Sequence, residues 1–225
     1  MNRNILLWMN KFSPIFDKSL ELFARQFETN HDVHIIDTNK YSNNFTLFYQ
    51  QHIQKYDTTT TTTNKSFCYD GTNGIRESTY MPLTVKGPKK ATLISVDMDG
   101  DVITDVHAIL CFSLGGRKSV EIDILCKNQV LVDNYGEASK LLHLLETVCL
   151  ELQHHVIKLR SVPSAVSYYQ KKWYRSKRPN SPSMTKNVRY VSNVRRMKNA
   201  LTKSLQKSRA KSLKKRETQY LEKNI

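Results

Sequence analysis

Residues 120–145, VEIDILCKNQVLVDNYGEASKLLHLL, decide the reading of the fold. Up to Cys126 they read as a buried strand, and a glycine-containing turn follows. From about residue 137 to 154, Leu141, Leu142, Leu145, Val148, Cys149 and Leu152 form a wide apolar stripe at helical spacing. A strand, a small-residue turn and a helix start together aim successive backbone N–H groups at one point, which suits a phosphate.

Upstream of this unit the apolar period is two. ATLISVD (91–97) and DVITDVHAILCFSL (101–114) read as strands joined by an Asp99-Gly100 hairpin turn, and Gly115-Gly116 turns the chain into SVEIDILC (119–126). Downstream, VIKLRSV (156–162) is a further strand, and Pro163-Ser164 opens a short helix, AVSYYQKKWY. A strand, helix, strand unit normally closes a parallel pair, so an antiparallel meander followed by such a unit predicts a mixed sheet.

Nearer the N-terminus, SPIFDKSLELFARQF (13–27) has a capping serine, a proline at the first helical position, and Ile15, Phe16, Leu20, Phe23 and Phe27 on one face. A short strand is expected at 33–36. A helix over 44–56 carries Phe45, Phe48, Tyr49, His52 and Ile53 as a packing stripe. The threonine run at 58–63 has nothing to bury and reads as a loop, and a weak strand is expected at 81–86.

The formal charge of +15 is not spread evenly. Residues 1–170 hold 17 Lys+Arg against 18 Asp+Glu, and 171–225 hold 18 against 2. A neutral body with a polyanion-facing tail is implied. In the tail, NVRYVSNV (187–194) reads as a strand, and Val194, Met197, Leu201 and Leu205 mark one face of a basic helix. Contact of residues 176–225 with nucleic-acid phosphate is one expectation, and a solvated tail with no dedicated partner is the other. The four cysteines, Cys68, Cys111, Cys126 and Cys149, show no CxxC pair and are expected as reduced structural thiols. His154-His155 reads as a helix-end feature, and no metal site is expected. No apolar run reaches the ~18 residues of a membrane span. An intracellular protein, cytoplasmic or nuclear, is expected.

Three matches, in order, resemble the GNAT superfamily of acetyl-coenzyme A-dependent N-acetyltransferases. EIDILC is similar to the family's fourth strand, which pairs with the pantetheine arm and often carries an acid. DNYGEASKLL is similar to its pyrophosphate loop, with Gly136 and Ala138 on the small-residue positions and Asp133 where Arg or Gln is usual. SAVSYYQKKWY resembles the segment bearing the family's tyrosine, here Tyr169, with Trp173 where a glycine commonly stands. The resemblance covers about residues 93–174, and the two closing strands that should follow are not evident in the sequence.

The resemblance implies an α+β fold in α/β/α layers: a mixed, mostly antiparallel sheet flanked by helices, followed by a basic helical tail. It divides the chain into an N-terminal helical part (1–57), a Thr-rich loop (58–66), a core with the coenzyme motif (67–175) and the tail (176–225). It implies acetyl transfer from acetyl-coenzyme A, as cosubstrate, to a primary amine on a protein or small molecule. Leu125, Cys126, Lys127, Asn134, Tyr135, Gly136, Glu137, Ala138 and Ser139 would contact the coenzyme, and Tyr169 would protonate its sulfur. By the period of two, Glu121 and Asp123 share one face of their strand, opposite Ile122, Ile124 and Cys126, and are the candidate bases, Glu121 first. Tyr168, a neighbouring helical position, is expected to pack inward. A nucleophile at His107 or Cys126 is rejected, since no orienting third group is identifiable. The alternative is a catalytically inactive GNAT-fold protein that binds nucleic acid or a partner through its tail.

Overall fold

The computed structural model describes residues 2–9, 18–36, 45–56, 67, 90–116, 118–131, 136–161, 165–176 and 181–189. The first compact unit is Met1–Lys186, and Asn187–Ile225 form a second. The expected Ser13 cap, threonine run, 81–86 strand and basic tail helix lie outside the described residues.

The strands are β1 Asn2–Met9, β2 Val33–Ile35, β3 Lys90–Asp99, β4 Val102–Gly115, β5 Ser119–Lys127, β6 Val156–Arg160, β7 Arg175–Ser176 and β8 Ser183–Asn187. The helices are α1 Lys18–His31, α2 Phe45–His52, α3 Glu137–Glu151 and α4 Val166–Lys171. One eight-stranded sheet results, in the order β2-β1-β3-β4-β5-β6-β8-β7. Pairing is antiparallel from β1 through β5 and again between β7 and β8, and parallel for β1 with β2 and β5 with β6. This is the mixed, mostly antiparallel sheet that the sequence implied, with the β3–β4 hairpin turning at Gly100 in the left-handed region (φ 58°).

Helices cover both faces. On one, Phe45, Phe48, Tyr49 and Ile53 at α2 pack on Leu6, Trp8, Ile94, Val96, Val106, Ile109, Cys111 and Cys126. Trp8 meets Phe45 edge-on at 5.4 Å between ring centroids. On the other face, Phe23 and Phe27 of α1 stand against Phe112 of β4 at 5.9 and 6.2 Å, and α3 lies beside α1. Each fully buried aromatic or aliphatic side chain contributes about 1.5–3 kcal/mol through loss of apolar surface to water.

Two elements correct the sequence reading. β1 is a strand that the run Ile5–Met9 did not reveal, because it is covered on both sides: Leu6 and Trp8 join the α2-side core, while Leu7 and Met9 are buried on the alternate positions. The closing strands are present as β7, which straddles the boundary at 175/176, and β8, which lies inside the region assigned to the basic tail. β8 is held by Lys186, whose buried ammonium lies 2.6 Å from Glu146 Oε1 of α3, where the Tyr174 hydroxyl also donates at 3.1 Å. Burial, the Glu146 charge and that hydrogen bond push the Tyr174 phenol well above its usual range.

Trp173, which leads from α4 toward β7, adopts φ 72°, the left-handed region that glycine favours. Both Trp173→Ala and Trp173→Gly discard the indole, so only the backbone separates them. In denaturant unfolding the glycine variant is expected to be about 1 kcal/mol more stable than the alanine variant, the reverse of the usual order.

Candidate functional site

β5 runs in parallel register with β6 from Ser119/Val156 to Ile122/Leu159. From Asp123 to Lys127 it continues along β4, and at Asn128 its far edge meets the bridge from Phe67. Among the described residues, this five-residue stretch has no strand partner opposite β4. Asp123 makes the consequence visible: its side chain is only 24% exposed, yet the residue as a whole is exposed, so solvent reaches its main chain. Where a strand runs on beyond its neighbour, an extended ligand can add itself as the next strand.

The register shifts between Cys111 and Phe112, where Ile122 stands opposite Phe112 and Ile124 opposite Cys111. Asp123 is therefore the extra residue of a bulge. A bulge flips the alternation, so Ile122 lies on the α1 side with Phe112, whereas Ile124 and Cys126 lie on the α2 side. The expectation that Ile122, Ile124 and Cys126 share a face is thus corrected. Glu121 is exposed and stands beside Lys158 within the paired part of the strand. Asp123 stands where the pairing ends, 3.3 Å from the Lys90 ammonium.

Of the three residues expected along the pantetheine arm, Leu125 is half-buried, Lys127 is exposed, and Cys126 is buried and disulfide-bonded. The last corrects the expectation of four reduced thiols. Wide separation in sequence does not oppose a disulfide, which needs only Cα atoms within about 7 Å in the fold. Cys111 and Cys149 are free and buried, and burial pushes the Cys111 thiol up to about 12.

The turn into α3 ends at Gly136, with φ 87° and ψ −4°, where a Cβ would meet nothing within 4 Å but would be strained by its backbone. Among the described residues, no side chain caps the helix start. The first-turn N–H groups of Glu137, Ala138 and Ser139 thus stand at a terminus with partial positive charge, the arrangement that accepts an anion. Asp133, Asn134 and Tyr135 lie outside the described residues.

The Glu137 side chain turns into the interior instead. At 2% exposure, its Oε1 accepts from Arg3 Nη1 at 3.1 Å and Lys140 Nζ at 2.6 Å, and its Oε2 accepts from Ser95 Oγ at 2.8 Å. Burial would raise its pKa, but the hydrogen bonds from Lys140, Ser95 and Arg3 outweigh burial and hold it below the ordinary value. Arg3 Nε also donates to Asp97 Oδ1 at 3.2 Å, and His107 Nε2 lies 2.9 Å from Asp97 Oδ2. Asp97 is likewise held low, burial opposing and the Arg3 and His107 bonds prevailing. Arg3 reaches Asp97 and Glu137 across 94 and 134 residues, and Ser95 reaches Glu137 across 42, so no local pattern marked them or the Asp97–His107 pair behind them; Lys140, three residues after Glu137, did leave an i,i+3 signal that the sequence reading passed over.

α4 is tied to the same first turn, because the hydroxyls of Ser139 and Tyr168 lie 2.9 Å apart. Tyr169 is 7% exposed and stacks edge-on between Tyr168 at 5.1 Å and Tyr174 at 5.6 Å. The inward residue is therefore Tyr169, with Tyr168 half-buried at the α3 start, reversing the expected order. Burial pushes the Tyr169 phenol far above its usual value, so it keeps its proton at neutral pH. His154 closes the end of α3, its N–H donating to Cys149 O at 2.7 Å. Among the described residues there is no group of three or more His, Cys, Asp or Glu placed to hold a metal, and no helix is long and apolar enough to cross a membrane.

No family model and no curated protein matches the chain. Among solved structures it is similar to an acetyltransferase of the GNAT family from Staphylococcus aureus Mu50 (10% identity, 83% of this chain and 99% of that one, TM-score 0.40). It is also similar to the PaiA N-acetyltransferase of Thermoplasma acidophilum in complex with coenzyme A (11%, 49% and 70%, 0.38). A third is a GNAT family N-acetyltransferase from Escherichia coli in complex with CoA (14%, 52% and 69%, 0.39).

The lowered carboxylates fix a pH dependence. Folded pKa values below the ordinary 3.8 for Asp97 and 4.5 for Glu137 mean stability that is fully present above those values and lost as pH falls through the lower folded ones. Glu137→Gln removes one such group, so the slope of stability against pH below about 4.5 is expected to fall by up to ~1.4 kcal/mol per pH unit. Urea unfolding between pH 5 and about 2.5 measures it.

Proposed function

We propose that the chain is an N-acetyltransferase, moving an acetyl group from acetyl-coenzyme A to a primary amine by direct attack in a ternary complex. A lysine or N-terminal amine on a protein is the favoured acceptor. The observation that carries the reading is the start of α3 behind left-handed Gly136, which no described side chain caps, adjoining in sequence a β5 edge that leaves β6 after Ile122. Extended arm and phosphates are the two parts of the coenzyme, and these are the two features that suit them.

The coenzyme supplies the activated acetyl thioester. The chain's own groups do the rest. Main-chain groups of Leu125, Cys126 and Lys127 line the arm, and N–H groups from Gly136 to Ser139, with Asn134 and Tyr135 before them, receive the pyrophosphate. The attacking amine must lose a proton; Glu121 and Asp123 are the candidate bases, and the end of the β5–β6 register after Ile122 supports Asp123 ahead of Glu121, which stands within the paired strands. The departing thiolate gains from a donor, and the Tyr169 phenol, protonated at neutral pH and held beside the α3 start through Tyr168, suits that role.

Acetyl-coenzyme A at a hundredfold excess over Kd should stabilise the protein by about 2.7 kcal/mol in a thermal shift, and no shift removes the reading. Given binding, Tyr169→Phe is expected to lower kcat at least tenfold with Kd for the coenzyme unchanged. An unchanged kcat takes Tyr169 out of the mechanism.

The basic C-terminal residues are proposed to bring the enzyme to nucleic-acid-associated substrates. Because β8 belongs to the sheet, the truncation that tests this removes only residues 190–225. DNA binding should then be lost along with its steep salt dependence, while the thermal shift with coenzyme persists; retained binding assigns it elsewhere.

A further inference from the structure

We propose that Arg3 is a positioning residue for the coenzyme loop: it neutralises the Glu137 carboxylate beneath the first turn of α3, so that this turn faces an anion with net positive potential. The proposal rests on the acetyl-coenzyme A reading above.

The problem that Arg3 answers is electrostatic. A helix start carries roughly half a positive charge, spread over its free N–H groups. Glu137 sets a full negative charge one residue after Gly136, and at 2% exposure water screens it little. Left unmatched, that carboxylate would more than cancel the helix charge and repel a pyrophosphate.

Two cations reach it. Lys140 touches Oε1, but its side chain is 61% exposed, and its charge is shared with solvent. Arg3 comes from β1 on the sheet beneath, with a side chain 32% exposed, and donates Nη1 to the same oxygen. Its guanidinium is fixed from behind, since Nε donates to Asp97 Oδ1 and leaves Nη1 directed at Glu137.

Asp97 is held in turn. Ionised, it can only accept, so the His107 Nε2 that approaches it at 2.9 Å carries the proton. The 3.3 Å approach of Arg3 Nη2 to that same nitrogen is then a contact between two donors, not a hydrogen bond. His107, Asp97, Arg3, Glu137 and Ser95 form one line of matched partners running from β4 and β3 through β1 to the helix start. Arg3 is a positioning residue in that it acts through the Glu137 carboxylate and not on the coenzyme itself.

The test uses the full chain as wild type, Arg3→Met, Arg3→Lys, Glu137→Gln and the double variant Arg3→Met/Glu137→Gln. Calorimetry gives Kd for acetyl-coenzyme A and for S-acetylpantetheine, which keeps the thioester arm and lacks the phosphates. Arg3→Met is expected to weaken acetyl-coenzyme A about tenfold while leaving the arm fragment unchanged. Arg3→Lys recovers part of the loss. Glu137→Gln keeps the main-chain N–H and leaves Arg3 unopposed, so it binds more tightly than wild type, and the double variant, which removes both charges of the pair, returns to within about twofold of wild type.

Parallel loss of both ligands in Arg3→Met makes Arg3 merely structural and overturns the proposal, as does a double variant no better than Arg3→Met. If Arg3→Met does not fold, the double variant decides alone: a Kd within about twofold of wild type supports the proposal, and a tenfold loss overturns it. Wild type that binds acetyl-coenzyme A, with every variant equal to it, overturns this inference and leaves the coenzyme reading standing. Wild type that does not bind it removes both.

Discussion

A parallel strand pair cannot be closed by a tight turn, and the pairing of β5 with β6 is the constraint on which the molecule depends. The chain must leave β5 at one end of the sheet, return over a face as α3, and enter β6 beside β5. This places the start of α3 at the end where β5 finishes, the same end as the β3–β4 hairpin and the first residues of β1. The bulge at Asp123 and the end of the β6 register after Leu159 then leave β5 to run on without β6 toward that end. Site and fold share this one crossover.

Legibility in the sequence followed the range of the forces involved. α1, α2, β3, β4, β5, α3 and β6 were readable because each buries a stripe at its own period, and Asp99-Gly100 marks its hairpin locally. β1 was not, since a strand covered on both faces loses the alternation that would identify it. β7 and β8 were hidden by length and by charge: two and five residues, one of them Lys186, whose burial becomes intelligible only beside Glu146. The bulge at Asp123 was invisible because it is a relation between two strands. That relation sets Ile124 and Cys126 on the face opposite Ile122.

The candidate loop was readable in its backbone and not in its side chains. Gly136 could be picked out because φ 87° demands a residue of its kind. Glu137 read as an ordinary helix-starting acid, which the helix dipole favours at the surface. Its burial could not be foreseen, since Ser95 and Arg3 come from strands that only the folded sheet sets beneath it. Tyr168 and Tyr169 exchanged their expected orientations for a similar reason: Ser139 offers Tyr168 a hydroxyl partner that exists only once α4 rests beside α3.

The three glutamates of α3 show how one helix fixes the order of the elements around it. Glu137 is matched by Arg3 of β1, Glu146 by Lys186 of β8, and Glu151 by His31 and Gln26 of α1. Apolar burial is non-directional, so the leucine stripe of α3 alone would tolerate rotation and sliding. Buried ion pairs do not, because removing either partner leaves an unmatched charge at about 3–5 kcal/mol. By that measure the three are unequal. Glu137 and Glu146, with 2% and 11% of their side chains exposed, penalise a misplaced β1 or β8 strongly. Glu151, 36% exposed, contributes at most about 1 kcal/mol to the seating of α1, which must rest on Phe23 and Phe27. α3 thus joins the first and last long-range partners of the sheet by charge and the intervening ones by apolar contact. Its N-terminal charge pair is also the one that lies under the anion-facing turn.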